Sequence, residues 1–137
     1  MGLKKQEWPT LSHTGNCTQP NFEKQDGLLP VIVQEYKEDR SGRVLMLAYV
    51  SKKAYDLTRY TGFAHFWSRS RQQLWKKGET SGNFLPVREI WVDCDNDTLL
   101  YLVTSPGIVC HLNRSDCFFE NAKEVSSERN VDLMRSW

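Results

Sequence analysis

Apolar residues along this chain fall into short runs broken by turn residues, with one stretch of helical spacing among them. L-L-P-V-I-V-Q-E-Y (28–36), entered through Asp26-Gly27, reads as a first strand, since Val and Ile suit a pleated surface and Asp-Gly marks a turn. Glu38 to Gly42 is a polar hairpin turn leading into R-V-L-M-L-A-Y-V (43–50), a second and largely buried strand. Ser51 then stands as N-cap to a short helix, S-K-K-A-Y-D-L-T-R-Y-T. Ala54, Leu57 and Thr58 fall at helical spacing there, and Gly62 is the stop. F-A-H-F-W-S-R-S-R (63–71) returns to strand composition, and Q-L-W-K-K-G-E-T-S-G (73–82) reads as a loop with two glycines. F-L-P-V-R-E-I-W-V (84–92) and T-L-L-Y-L-V-T (98–104) are the remaining strands, with a tight turn at Asn96-Asp97 before the second. Ser105-Pro106-Gly107 turns the chain into I-V-C-H (108–111). The sum predicts a β-rich α+β domain of short antiparallel strands with one or two helices.

This domain spans residues 21–120. Residues 1–20 lack periodicity and read as a loosely attached arm, in which His13 and Cys17 are an exposed histidine and a spare thiol. Residues 121–137 are polar, either a tail or a short helix.

With 137 residues the chain is one domain of ordinary size, large enough to bury a core. Its 18 basic and 17 acidic residues nearly cancel, so no global field favours nucleic acid or an anionic membrane. The N-terminus has no apolar signal region, and the longest apolar runs are far too short to span a bilayer. A soluble cytoplasmic protein is expected. In that reducing compartment the four cysteines read as metal ligands or free thiols in preference to disulfides.

The chemistry concentrates in D-C-D-N-D (93–97) and C-H-L-N-R-S-D-C (110–117). Asp93, Asp95 and Asp97 are hard oxygen donors suited to Mg²⁺, and Cys94, Cys110 and Cys117 are soft donors suited to Zn²⁺. In an extended segment, alternation would put the three carboxylates on one face and Cys94 on the other. A solvated acidic turn is the competing reading of the aspartates. An EF-hand is excluded, because Thr98 stands where the loop requires glycine. Three thiolates leave zinc a fourth position for water. His111 is then either a fourth ligand or, as we favour, a base beside that position. His65, inside an aromatic strand, reads as a packed core or rim histidine. Gly78 to Gly82, with Lys76, Lys77, Arg69 and Arg71 nearby, could cradle an anion or be an ordinary polar turn. Trp67, Trp75 and Trp91 interleaved with arginine suggest base stacking, but the near-zero net charge favours packing.

Taken together, S-R-S-R-Q-Q-L-W-K-K-G-E-T-S-G-N, D-C-D-N-D-T-L-L and C-H-x5-C-F resemble the phosphoribosyl-AMP cyclohydrolase family of histidine biosynthesis. D-G-L-L-P-V-I-V-Q and V-L-M-L-A-Y-V extend the similarity over roughly residues 22 to 119. The resemblance implies hydrolysis of N1-(5-phosphoribosyl)-AMP at the N1–C6 bond of adenine by zinc-activated water. It implies an intertwined homodimer using Zn²⁺ and Mg²⁺, with the active site at the subunit interface. Cys94 of one subunit and Cys110 and Cys117 of the other would hold zinc, and Asp93, Asp95 and Asp97 would hold magnesium. His111 would be the general base with Glu79 the second candidate, while Arg69, Trp75, Lys77, Thr80 and Ser81 would bind the nucleotide. The family pattern C-H-T-G-x-x-S-C-F here reads C-H-L-N-R-S-D-C-F, so Leu112 and Asn113 replace Thr-Gly and Asp116 precedes Cys117. The alternatives are a paralogue acting on a related purine nucleotide and a silent, zinc-stapled nucleotide-binding dimer.

Overall fold

The structure is a computed structural model that describes residues 18–122. His13, Cys17, nearly all of the N-terminal arm and the tail beyond residue 122 lie outside the described residues. The described chain runs through a 3₁₀ turn (Phe22–Gln25), β1 (Leu28–Glu35), β2 (Val44–Ser51), α1 (Lys52–Thr61), β3 (His65–Ser68), β4 (Gln73–Lys76), β5 (Val87–Val92) and β6 (Leu99–Val103). It is a strand-rich α+β fold with one α-helix among the described residues.

Four strands form a sheet in the order β2-β1-β6-β5, while β3 and β4 form a separate hairpin. The expectation of antiparallel strands holds for β1–β2, β5–β6 and β3–β4 and fails at the sheet's centre. There β1 and β6 run parallel, Val31 beside Leu99 through Glu35 beside Val103. Helix α1 and the β3–β4 hairpin supply the long crossover that a parallel pair needs.

Alternation decides which face is buried. Leu29, Val31 and Val33 of β1 and Leu99, Tyr101 and Val103 of β6 are all fully buried, Val31 beside Leu99 and Val33 beside Tyr101. Leu45 and Val50 of β2, Ala54 and Tyr55 of α1, Phe66 of β3 and Leu85 pack into the same core. The opposite face carries a cross-strand row, Leu47–Ile32–Leu100–Trp91. Leu47 and Trp91 in that row remain 49% and 45% exposed.

The helix follows its sequence signals. Ser51 Oγ accepts the Ala54 N–H at 3.1 Å, and Gly62, at φ 81°, donates its N–H to the Thr58 carbonyl. Fully buried Thr58 donates its hydroxyl to the Ala54 carbonyl and accepts the His65 N–H at 2.9 Å, fastening β3 to the helix. His65 is itself buried, as expected, with Nδ1 2.8 Å from the Phe63 carbonyl.

The stretch 73–82, read as a loop, begins instead with a strand. Gln73–Lys76 pairs with His65–Ser68, and the Trp75 and Phe66 rings meet at 5.1 Å. Two nearby glycines and a lysine pair masked a four-residue alternation that cross-strand aromatic packing is enough to fix. The strand expected over 63–71 is correspondingly shorter, because residues 69–72 turn the hairpin with Gln72 at φ 51°.

Candidate active site

The aspartates occupy the loop joining β5 to β6. The extended geometry expected for them is not what the chain adopts: residues 93–98 form a turn. Asp93 organises it. Its Oδ1 accepts the N–H groups of Asp97 at 3.0 Å and Thr98 at 3.2 Å, and its carbonyl accepts the Asn96 N–H. Asn96 takes φ 65°, a left-handed conformation that asparagine tolerates better than most residues. The turn, not strand alternation, gathers Asp93, Asp95 and Asp97 so that one oxygen from each lies within 4.8 Å of the others. The 3₁₀ turn reinforces this from outside. The Asn21 N–H donates to the Asn96 carbonyl at 2.7 Å, and Lys24 Nζ donates to the Asp95 carbonyl.

Crowding divides the carboxylates. Loss of solvent works against the charge on Asp93, but the N–H groups of Asp97 and Thr98 outweigh it and hold its carboxyl below the usual range. Asp95 moves up, through hydrogen bonding to Asp97, loss of solvent and the neighbouring negative charge. Three exposed or half-exposed oxygen donors this close fit a hard divalent cation, whose charge would relieve their repulsion.

The second half of the site is the loop after β6. Cys110 is buried at its start and Cys117 exposed at its end. The Val109 and Cys110 N–H groups both donate to the Arg114 carbonyl, at 2.9 and 3.0 Å, and the Asn113 N–H returns to the Cys110 carbonyl. Asn113 takes φ 63°, a left-handed conformation that asparagine tolerates better than most residues. This folding brings the two sulfurs together. Burial pushes the Cys117 thiol up, and Cys110, close enough to hydrogen-bond it, adds to the rise.

Lys77 faces the same place. Its Nζ donates to the Val109 carbonyl and lies 5.8 Å from the Trp75 ring centre. Burial pulls the ammonium below its ordinary value, whereas the Cys117 and Cys110 sulfurs beside it act in the opposite direction. Gly78 makes this possible. It is buried at φ 87°, and a Cβ there would lie 2.4 Å from the backbone of Asn83 and Phe84.

The remaining residues expected at the site scatter around these two clusters. His111 is exposed directly after Cys110, and Glu79, Thr80 and Ser81 occupy the exposed loop after β4. The Arg69 guanidinium stacks 3.7 Å over the Tyr49 ring. Cys94 is exposed within the acidic turn, and the three thiols form no single group among the described residues. Two groups of contacts were not visible in the sequence: Lys24 and Asn21 against the acidic turn, and Arg43, whose guanidinium is 3.2 Å from Asp116. Both join residues far apart in the chain, and no local spacing announces either.

Comparison with known proteins agrees with these motifs. The profile of the phosphoribosyl-AMP cyclohydrolase family matches residues 46–119. A phosphoribosyl-AMP cyclohydrolase from Streptococcus thermophilus is 49% identical over 109 residues, covering 80% of this chain and 95% of that protein. Those from Listeria innocua and Archaeoglobus fulgidus are 51% and 56% identical, covering 72% and 69% of this chain and 90% and 85% of theirs. The chain belongs to the phosphoribosyl-AMP cyclohydrolase family. The resemblance read from its sequence is borne out, and with it the assignment as a cyclohydrolase enzyme of histidine biosynthesis. Among the described residues, no helix is long and apolar enough to cross a membrane.

Proposed function

We propose that this protein hydrolyses the N1–C6 bond of the adenine ring in N1-(5-phosphoribosyl)-AMP, acting in the cytoplasm as a homodimer that holds Zn²⁺ and Mg²⁺. The observation that carries the two-chain site is the division of the thiols. Cys110 and Cys117 lie together beside Lys77, while Cys94 belongs to the acidic turn and joins no group with them. A second copy supplies the missing donor in this reading. The apolar row Leu47–Ile32–Leu100–Trp91 offers that copy a surface to cover.

Cys110 and Cys117 of one copy with Cys94 of the other would hold zinc, and Asp93, Asp95 and Asp97 would hold magnesium. Zinc bound this way supplies Lewis acidity and lowers the pKa of a coordinated water. The protein's own residues do the rest. His111, next to a thiol and open to solvent, takes the proton of the attacking water and returns one to N1 as the C6–N1 bond breaks. The water oxygen ends on C6 as an amide carbonyl, and N1 keeps the proton. Glu79 is the second proton carrier. Arg69, Thr80 and Ser81 anchor the phosphates, and Trp75 offers a face to the purine. Lys77 links the two regions, with its ammonium at the thiols and Trp75 alongside.

The direct test follows ring opening of phosphoribosyl-AMP by ultraviolet absorbance with Zn²⁺ and Mg²⁺ present. Wild type should turn over, and His111→Ala and Cys110→Ser should each lose activity by at least about a hundredfold. A folded, zinc-loaded wild type without turnover would sink the proposal.

A further inference from the structure

Arg43 stands immediately before β2, which is an edge strand of the sheet. Its Nη1 lies 3.2 Å from Oδ2 of Asp116, whose side chain is only 16% exposed. The other oxygen of that carboxylate, Oδ1, accepts the Phe118 N–H at 2.8 Å. Between these anchors the Cys117 N–H donates to the Leu45 carbonyl of β2, also at 2.8 Å. Cys117 therefore lies between Asp116, whose carboxylate holds Arg43 and the Phe118 N–H, and Phe118, and its own backbone N–H is fastened to the sheet edge.

The segment's other contacts are local to the loop, the hydrogen bonds around Arg114 and Cys110 and the Arg114 guanidinium over the Phe119 ring. From His111 to Ala122 every residue except Asp116 is exposed, and the buried part of the loop ends at Cys110. The fold of the sheet does not depend on the pair, because the ladder from Leu28–Ser51 to Gln34–Val44 already fixes β2. A serine at 116, as in the family pattern, would offer Arg43 no charge. Arg43 also offsets the carboxylate, so Asp116 orders the loop without leaving an unpaired negative charge beside two sulfurs.

We infer that Arg43 and Asp116 are positioning residues: their ion pair fixes Cys117 against Cys110, so that the two thiols meet a soft divalent metal as one preformed pair. A metal site loses affinity when its donors must be gathered on binding, and groups that orient ligands are worth roughly 10–100-fold in affinity. The inference rests on the reading of the thiols as metal ligands.

The test titrates full-length protein with Co²⁺ and follows the ultraviolet thiolate-to-cobalt charge-transfer band, with Zn²⁺ competition giving the zinc affinity. Asp116→Asn keeps an oxygen for the Phe118 N–H and removes the ion pair, and Arg43→Gln removes it from the other side. Each should weaken Co²⁺ binding about tenfold while thermal midpoint and Mg²⁺ binding stay unchanged. The double variant Arg43→Gln with Asp116→Asn should bind Co²⁺ no more weakly than Asp116→Asn alone, because either change already removes the ion pair. Unchanged affinity in both single variants overturns the inference, as do losses that simply add in the double variant. A wild type showing no charge-transfer band overturns the metal reading together with it, and so separates the two failures.

Discussion

The acidic turn and the thiol loop hold their donors in opposite ways. Asp93, Asp95 and Asp97 are gathered within one hairpin connection by hydrogen bonds inside residues 93–98, with Asn21 and Lys24 bracing the turn from outside. Cys110 and Cys117 are held by groups from elsewhere: Lys77 after β4, Leu45 in β2 and Arg43 before it. The first arrangement is complete in one chain. The second gathers two sulfurs and leaves Cys94 in the other region. A donor set encoded by adjacent residues depends less on packing elsewhere, whereas one assembled by remote contacts inherits the state of the whole domain.

The difference can be broken most sharply at a sulfur. Cys110→Ser should abolish Co²⁺ charge transfer and reduce turnover by at least about a hundredfold, while Mg²⁺ binding at the acidic turn is retained. Metal content by mass spectrometry, together with the absorbance assay, checks both halves. The reverse experiment is Asp93→Ala, which removes a carboxylate and the acceptor that shapes the turn. It should weaken Mg²⁺ at least about tenfold and leave Co²⁺ binding to the thiols unchanged, as read by calorimetry and absorbance.

A smaller effect tests the dependence on packing. Gly78→Ala must place a Cβ against the Asn83–Phe84 backbone at φ 87°, so it should cost about 2–3 kcal/mol in urea unfolding. By displacing Lys77 it should also weaken metal at the thiols and spare the aspartates. The smallest effect serves as a control. The fully buried Tyr101 hydroxyl has no hydrogen-bond partner among the described residues, and burial pushes its pKa well above the ordinary value. A pKa raised on folding contributes stability that is present below the unfolded value, about 10, and is lost as pH rises above it. Tyr101→Phe should flatten that alkaline loss and change neutral-pH stability by no more than about 1 kcal/mol, as denaturant melts at pH 7 and 10.5 would register.

The same contrast separates what the sequence made legible from what it did not. β1, β2 and α1 follow from long apolar runs and from Ser51 and Gly62, signals carried by neighbouring residues. The existence of the acidic cluster was likewise legible, but its geometry was not, because a turn closed by Asp93 competes with the extended form that alternation assumes. β4 was hidden by the glycines and lysines that follow its first residues, and it exists through pairing with β3. The parallel alignment of Val31 with Leu99 carries no local signature. Neither does the meeting of Arg43 with Asp116, since a single charge gains meaning only when the fold supplies its partner.

The parallel pair at the sheet's centre also bears on how the protein is made. While a ribosome is still producing residues before 99, β1 has β2 on one side and an open edge on the other. That edge belongs to the strand bearing Leu29, Val31 and Val33, an apolar template for other nascent chains. Only the arrival of Leu99–Val103 closes it, after the acidic turn has been synthesised and before the thiol loop. The interval of greatest aggregation risk therefore ends just as the residues proposed to bind metal emerge.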